Sequence, residues 1–301
     1  MARSIEKTSF QGWDAYHLRQ DSISLYVVPS IGGRLMGIQY EGEEFSYINP
    51  NLLGQTPTGD TEQWKTLCGN WTFPLWGGGK TWLAPESNWP EGNPHPELDS
   101  GEWNVIEAWS NSEELGILVQ SPICPKTNLQ LSRSLSLHLD GSWTITQAAK
   151  NLGESDITFG LWDVLMLKRP GKVSIPLQAG SHSIHWMPEK GFSEELITNG
   201  VLRFIDPKNI QLRCDKAEQF KVGFTNHNGE ITVVFHLEND QYLYQRQTKS
   251  QLTAPFAHGH PLEVFNSPAL PYFEIESHSP LQTLAPNQEA VFILQEKLQK
   301  S

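Results

Sequence analysis

Two carboxylates two positions apart, Glu274 and Glu276, stand in the run Tyr272-Phe273-Glu274-Ile275-Glu276-Ser277 near the end of the chain. Side chains alternate across a strand, so an extended conformation turns Phe273 and Ile275 one way and Tyr272, Glu274 and Glu276 the other. The carboxylates then lie about 6.6 Å apart along the strand and can share one groove. A carboxylate held in a groove suits general-base work, removing a proton from a hydroxyl. The plain alternative is a pair of solvated charges on an exposed strand face.

A second group of candidates surrounds Gly77-Gly78-Gly79-Lys80-Thr81. The Gly-Lys-Thr ending suggests a phosphate-binding loop, but that pattern needs glycine where this chain has Pro74 and a helix where it has Trp82-Leu83-Ala84-Pro85. Nucleotide binding is therefore rejected, and the glycines are read as a close approach of backbone to a ligand or a neighbouring strand. Trp76 and Trp82 flank Lys80; an indole there either anchors a loop in the core or stacks on the C–H face of a sugar ring. Arg34 follows the Gly32-Gly33 turn, where by itself it reads as an exposed hairpin charge. Of ten histidines, His182, His185, His258, His260 and His278 are candidate acids, His278 disfavoured as lying past the strand end. His258-x-His260 is too sparse for a metal site without a third ligand, so no metal and no cofactor are expected. Cys68, Cys124 and Cys214 are odd in number and far apart, hence reduced and structural.

The elements that must position these residues are strands. Leu131 to Leu139 alternates, and Asp140-Gly141 turns it into Trp143-Thr144-Ile145-Thr146, a β-hairpin. Two short strands in Tyr16 to Pro29, a return over Leu35 to Tyr40, and many later runs of the same kind give an all-β chain. Only Ser193 to Thr198, with Ser193 as N-cap, reads as helical. Between Asn49 and Trp109 neither apolar period is sustained, yet seven of the eleven tryptophans fall there. That density argues against disorder and for a functional loop region. No linker, repeat or low-complexity tract divides the chain, so residues 1–301 are expected to form a single domain, a large two-sheet antiparallel sandwich.

The Glu274 strand is followed by Ser279-Pro280 and by Leu284-Ala285-Pro286-Asn287-Gln288-Glu289, and the chain opens with Val28-Pro29-Ser30-Ile31-Gly32-Gly33-Arg34-Leu35-Met36-Gly37-Ile38. With the Trp-Gly-Gly-x-Lys-x-Trp-x-Ala-Pro segment at Trp76 to Pro85, these stretches resemble the galactose mutarotase-like (aldose 1-epimerase) superfamily over the whole chain, in order. The resemblance implies a galactose mutarotase-like β-supersandwich, with Glu274 as catalytic base. It also implies that Arg34, Trp76, Lys80, Trp82, Trp162 and Glu276 contact a sugar. Where the family carries its general acid, a histidine, this chain has Trp162-Asp163, which makes Asp163 the replacement acid provided its pKa is strongly raised.

A net charge of −12 disfavours nucleic acid and anionic membranes as partners. The first residues carry no apolar signal core and no apolar run reaches membrane-spanning length, so a cytoplasmic protein is expected. Its partner is expected to be a small-molecule carbohydrate, with the oligomeric state left open. The expected function is an aldose 1-epimerase-like isomerase that interconverts the anomers of a sugar hemiacetal. The alternative is a non-catalytic carbohydrate-binding protein of the same fold, and a two-carboxylate hydrolase or lyase is a lesser reading because neighbours on one strand do not flank a bond.

Overall fold

A computed structural model describes residues 3–177, 183–186, 195–225, 229–238, 240–249 and 254–301. The expected helix cap Ser193 and the candidate acid His182 lie outside the described residues. The chain opens with β1 (Arg3–Phe10), β2 (Trp13–Gln20), β3 (Ile23–Val28), β4 (Arg34–Tyr40) and β5 (Glu43–Glu44). Helix α1 (Thr61–Cys68), β6 (Gly79–Ala84) and the single turn α2 (Pro96–Asp99) interrupt the tryptophan-rich segment. Then come β7 (Asn104–Ser110), β8 (Glu114–Ile123), β9 (Leu129–His138), β10 (Trp143–Asn151), β11 (Ile157–Lys168) and β12 (Gly171–Pro176). After β13 (Ile184–Trp186) and α3 (Glu195–Thr198) follow β14 (Leu202–Asp206), β15 (Asn209–Cys214), β16 (Phe220–Phe224), β17 (Glu230–Leu237) and β18 (Asp240–Thr248). The chain closes with β19 (Leu262–Asn266), β20 (Tyr272–His278), β21 (Gln282–Leu284) and β22 (Glu289–Lys300).

These strands make two antiparallel sheets. The larger follows the order β1-β2-β3-β4-β6-β11-β20-β19-β16-β13, with β5 paired to β4 and β21 to β11, and the smaller β14-β15-β12-β17-β18-β22-β10-β9-β8-β7. Their inner faces share one core, in which Leu35, Leu161, Phe273 and Ile275 meet Leu131, Ile145, Val233 and Leu294. The expected hairpin is β9–β10, whose register pairs Trp143 with Leu137. β9 alternates buried and half-buried residues throughout, as a strand with one solvated face must. β6 and β20 are buried at every position and β11 nearly so, because their outer faces lie under loops while their inner faces meet the other sheet.

The expectation of an irregular tryptophan-rich segment needs correction. β6 is a central strand, and α1 has a helix start that the sequence does carry: the Asp60 side chain accepts the Gln63 backbone N–H at 2.7 Å, in an Asp-x-x-Gln pattern. No helix among the described residues is long and apolar enough to cross a membrane.

Candidate functional site

Cross-strand register assembles the outer face of the larger sheet. Lys80 of β6 lies opposite Val164 of β11, which lies opposite Glu276 of β20, which lies opposite Glu263 of β19. One step along, Met166, Glu274, Phe265 and Lys221 form a parallel row. At the other end of the ladder, Trp82, Trp162 and His278 pair in sequence. Parity alone therefore brings two ammonium groups, three carboxylates and two indoles onto one patch.

Over it opens a cavity of about 410 Å³, lined by Phe73, Trp82, Trp89, Trp162, Phe265, Lys221 and Glu274 among others. The Trp82 and Trp162 rings meet edge-on at 5.0 Å, and Trp89 stacks on Trp162 at 5.8 Å. Such a pocket presents flat apolar walls with a few polar groups at its floor, as small-ligand sites do. A larger hollow of about 690 Å³ lies by β1 and β2, but its charged residues Lys7, Asp14 and Glu102 form no ion pair among the described residues.

Electrostatics differ sharply between neighbours on this floor. Burial pushes the Glu274 carboxyl up, against the attraction of Lys80 and Lys221. Burial likewise pushes the Lys80 ammonium down to about 8, against the pull of Glu274. The two sit 3.8 Å apart, paired electrostatically but too far for a hydrogen bond. Lys80 Nζ also lies 3.8 Å from the centre of the Trp82 ring, a cation–π contact. Lys221 is the opposite case: burial opposes its charge, but Glu263 at 2.6 Å and Glu276 at 3.1 Å hold it well above the usual range. Burial pushes Glu276 up, against Lys221, and its Oε2 accepts the Trp162 indole N–H at 2.9 Å.

Glu274, Glu276, Lys80, Trp82 and Trp162 are thus brought together. Three other expected site residues are not. Asp163 follows Trp162, so its side chain points the opposite way, between the sheets. There it takes Arg133 at 3.1 Å, Arg246 at 2.8 Å and the Gln147 amide, while Arg246 also holds Glu296 at 2.7 Å. Held by Arg133 and Arg246 of the other sheet, it faces away from the cavity, so the replacement-acid reading is corrected to a structural one. Trp76 is fully buried in a satellite core with Trp13, its indole N–H donated to Ser100 Oγ.

Arg34 is buried one layer behind the floor. Its guanidinium donates to Ile31 O, Gly77 O, Asp99 O and Asp99 Oδ1, and the same Asp99 Oδ1 accepts the Trp82 indole N–H at 2.7 Å. Arg34 therefore orients Trp82 through Asp99 rather than meeting a ligand itself. The glycines serve this packing. A Cβ on Gly32, at φ 80°, would stand 2.0 Å from Asp99 O, and one on Gly77, at φ 103°, 2.1 Å from Tyr47 O.

Sequence reasoning missed Lys221 and Glu263 and set His278 aside. β20 runs through His278, so the residue keeps the outward parity of Glu274 and Glu276 and stacks on Trp162 at 5.2 Å. A signal for the other two was available: each is a charge inside an apolar strand, Phe220-Lys221-Val222 and Leu262-Glu263-Val264. Glu263 is also the centre of a histidine cluster. Its Oε1 lies 2.7 Å from His258 Nδ1 and 2.6 Å from His260 Nε2, and its Oε2 lies 3.7 Å from His278 Nε2. Gly223, opposite Glu263, makes room for this: a Cβ there would meet the His260 ring at 2.4 Å.

No protein-family model matches the chain, and no curated protein does. Solved structures do. A galactose mutarotase-like protein from Clostridium acetobutylicum superposes with a TM-score of 0.62 at 11 % identity, over 99 % of each chain. One from Lactobacillus casei superposes at 0.60 with 8 % identity, over 95 % of this chain and 100 % of the other. A galactose mutarotase related enzyme from Lactobacillus acidophilus gives 0.55 at 11 %, over 95 % and 97 %. The chain has the galactose mutarotase-like fold, as its opening hairpin and Glu274 strand led one to expect. On that fold the chain carries the floor just described, with Trp162 stacked on His278 and a Lys–Glu pair beneath the aromatic walls.

Proposed function

We propose that the chain binds a neutral sugar in the aromatic-walled cavity and interconverts its anomers, with Glu274 as base and Lys80 as acid. The observation that carries this reading is the Glu274–Lys80 pair, with Glu274 lining the cavity and Lys80 buried 3.8 Å behind it, a carboxylate pushed up and an ammonium pushed down to about 8. Oppositely tuned neighbours are the usual mark of an acid–base couple working near neutral pH. Glu274 takes the proton of the anomeric hydroxyl while the Lys80 ammonium protonates the ring oxygen, and the C1–O5 bond breaks to leave the open-chain aldehyde. After rotation about C1–C2, Lys80 takes the proton back as the ring closes and Glu274 returns one to O1, so both groups are regenerated. A neutral ligand follows from the charge balance: Lys80 and Lys221 face Glu263, Glu274 and Glu276, which leaves no surplus cation for a phosphate or uronate.

A non-catalytic sugar-binding role is the second reading, and it rests on Trp162-Asp163. An indole tied to Glu276 stands where the family resemblance calls for an acid, and the adjoining Asp163 faces the core. One experiment separates the two. The protein is added to pure α-anomers of hexoses and pentoses, and relaxation is followed by polarimetry or NMR exchange. Catalysis above the spontaneous rate, lowered by about 10²–10⁴-fold in Glu274→Gln with binding nearly unchanged, is the expected result. Binding without any acceleration across the panel would replace the isomerase reading with the binding one.

A further inference from the structure

We propose that His258, Glu263 and His278 bind a divalent first-row transition-metal ion beside the aromatic cavity, with His260 as a further donor on the same carboxylate. One nitrogen from each of His258 and His278 and a Glu263 oxygen already lie within 4.8 Å of one another. In a four-coordinate zinc site the ligand atoms stand about 3.4 Å apart, so small side-chain movements close the set. Two imidazoles and a carboxylate are a donor set suited to zinc, iron, cobalt or nickel rather than to calcium or magnesium.

A second, independent observation points into the same spot. His278 is 3 % exposed, and neither of its ring nitrogens has a hydrogen-bond partner among the described residues. A buried imidazole without a partner is unfavourable, and a metal ion on Nε2 removes the deficit for that nitrogen. The surroundings also suit ligation. Lys221 is bound to Glu263 Oε2 and to Glu276, which leaves Oε1, where His258 and His260 converge, to meet the ion. Lys221 is already paired with Glu263 and Glu276, so its ammonium does not leave an unmatched positive charge against a dication. His260 Nδ1 meets His185 Nδ1 at 2.7 Å, which holds the His260 ring in place as the outer partner of the ligating carboxylate. His258 is the most accessible of the set at 15 % side-chain exposure and packs edge-on against Trp162 of the cavity wall. Three protein ligands leave a four-coordinate ion one position for water or for a hydroxyl of a ligand in the cavity.

The test needs no sugar, so its failure is separable from that of the isomerase reading. The full chain is stripped with a chelator, dialysed, and titrated with Zn²⁺ against a chromophoric chelator and with Co²⁺ by visible absorption. The expected result is one saturable ion per chain, visible Co²⁺ bands of low-coordinate type, and a higher melting temperature in the presence of Zn²⁺. Affinity should fall by about 100-fold or more in His258→Ala and in His278→Ala, and be unchanged in His138→Ala. His258→Ala, at the accessible edge of the cluster, carries the test should the buried variant fail to fold. No saturable uptake by the wild type, or uptake that His258→Ala leaves intact, overturns the proposal.

Discussion

At Lys80 the fold does something that no surface lysine experiences: it removes the ammonium from water and leaves a carboxylate at 3.8 Å as its main compensation. An acid with a pKa of about 8 is mostly protonated at neutrality and still gives up its proton readily. If Lys80 acts in its ammonium form, kcat/KM for anomer interconversion should fall as pH rises through about 8, and Lys80→Gln should lose that limb together with most of the rate. A pH–rate profile of the wild type that stays flat from pH 7 to 9 would remove Lys80 from the mechanism. Glu44 gives a residue-scale prediction about stability. Burial raises its pKa to about 7, against hydrogen bonds from the Ile38 and Ser46 backbone. A carboxyl raised in the folded state favours folding fully below its unfolded pKa of about 4.5, and the advantage is lost as pH rises through about 7. Urea unfolding of Glu44→Gln at pH 5 and pH 8 should show a smaller pH-dependent loss than the wild type.

Between residues and the whole, the decisive element is β6 with its buttress. Gly79–Ala84 lies between β4 and β11, and α2 brings Asp99 behind it to fix the Trp82 indole. Trp82 is in turn within stacking or edge contact of Phe73, Trp89 and Trp162, so a ligand that touches one ring perturbs several. Titration with neutral hexoses and pentoses should therefore quench or shift the tryptophan fluorescence. Trp82→Ala should weaken binding by about tenfold while the far-ultraviolet circular dichroism stays that of the wild type. No fluorescence response at millimolar sugar would argue against this cavity as the ligand site.

Across the described residues, the two sheets are joined by apolar packing and by a charged network at their interface. Asp163 of the larger sheet meets Arg133 and Arg246 of the smaller one, and Glu296 and Trp143 complete the set. Removing one charge from a buried, paired group leaves its partner uncompensated and typically costs about 3–5 kcal/mol. Asp163→Asn should accordingly lower the unfolding free energy from urea titration by that order while leaving the rate per folded molecule near the wild-type value. A large loss of rate with unchanged stability would restore Asp163 as an acid.

Much of the fold was legible in the sequence because strand periodicity is local. The β9–β10 hairpin, the strand from Ile157 and the parity of Phe273 and Ile275 against Glu274 and Glu276 follow from alternation and from Asp140-Gly141 alone. β6 and α1 escaped because β6 is buried on both faces and shows no alternation, while α1 offers only its Asp60 cap. Trp162 and Asp163 mark the limit most clearly: adjacent residues, one facing the cavity and one the core, with nothing local to say which face is which. What the sequence by itself determined is which side chains share a face. Only the tertiary structure decided what each face meets, because lateral strand order and loop cover set the burial and the charge partners: Lys80 beside Glu274 from strands nearly two hundred positions apart, and Glu263 among three histidines.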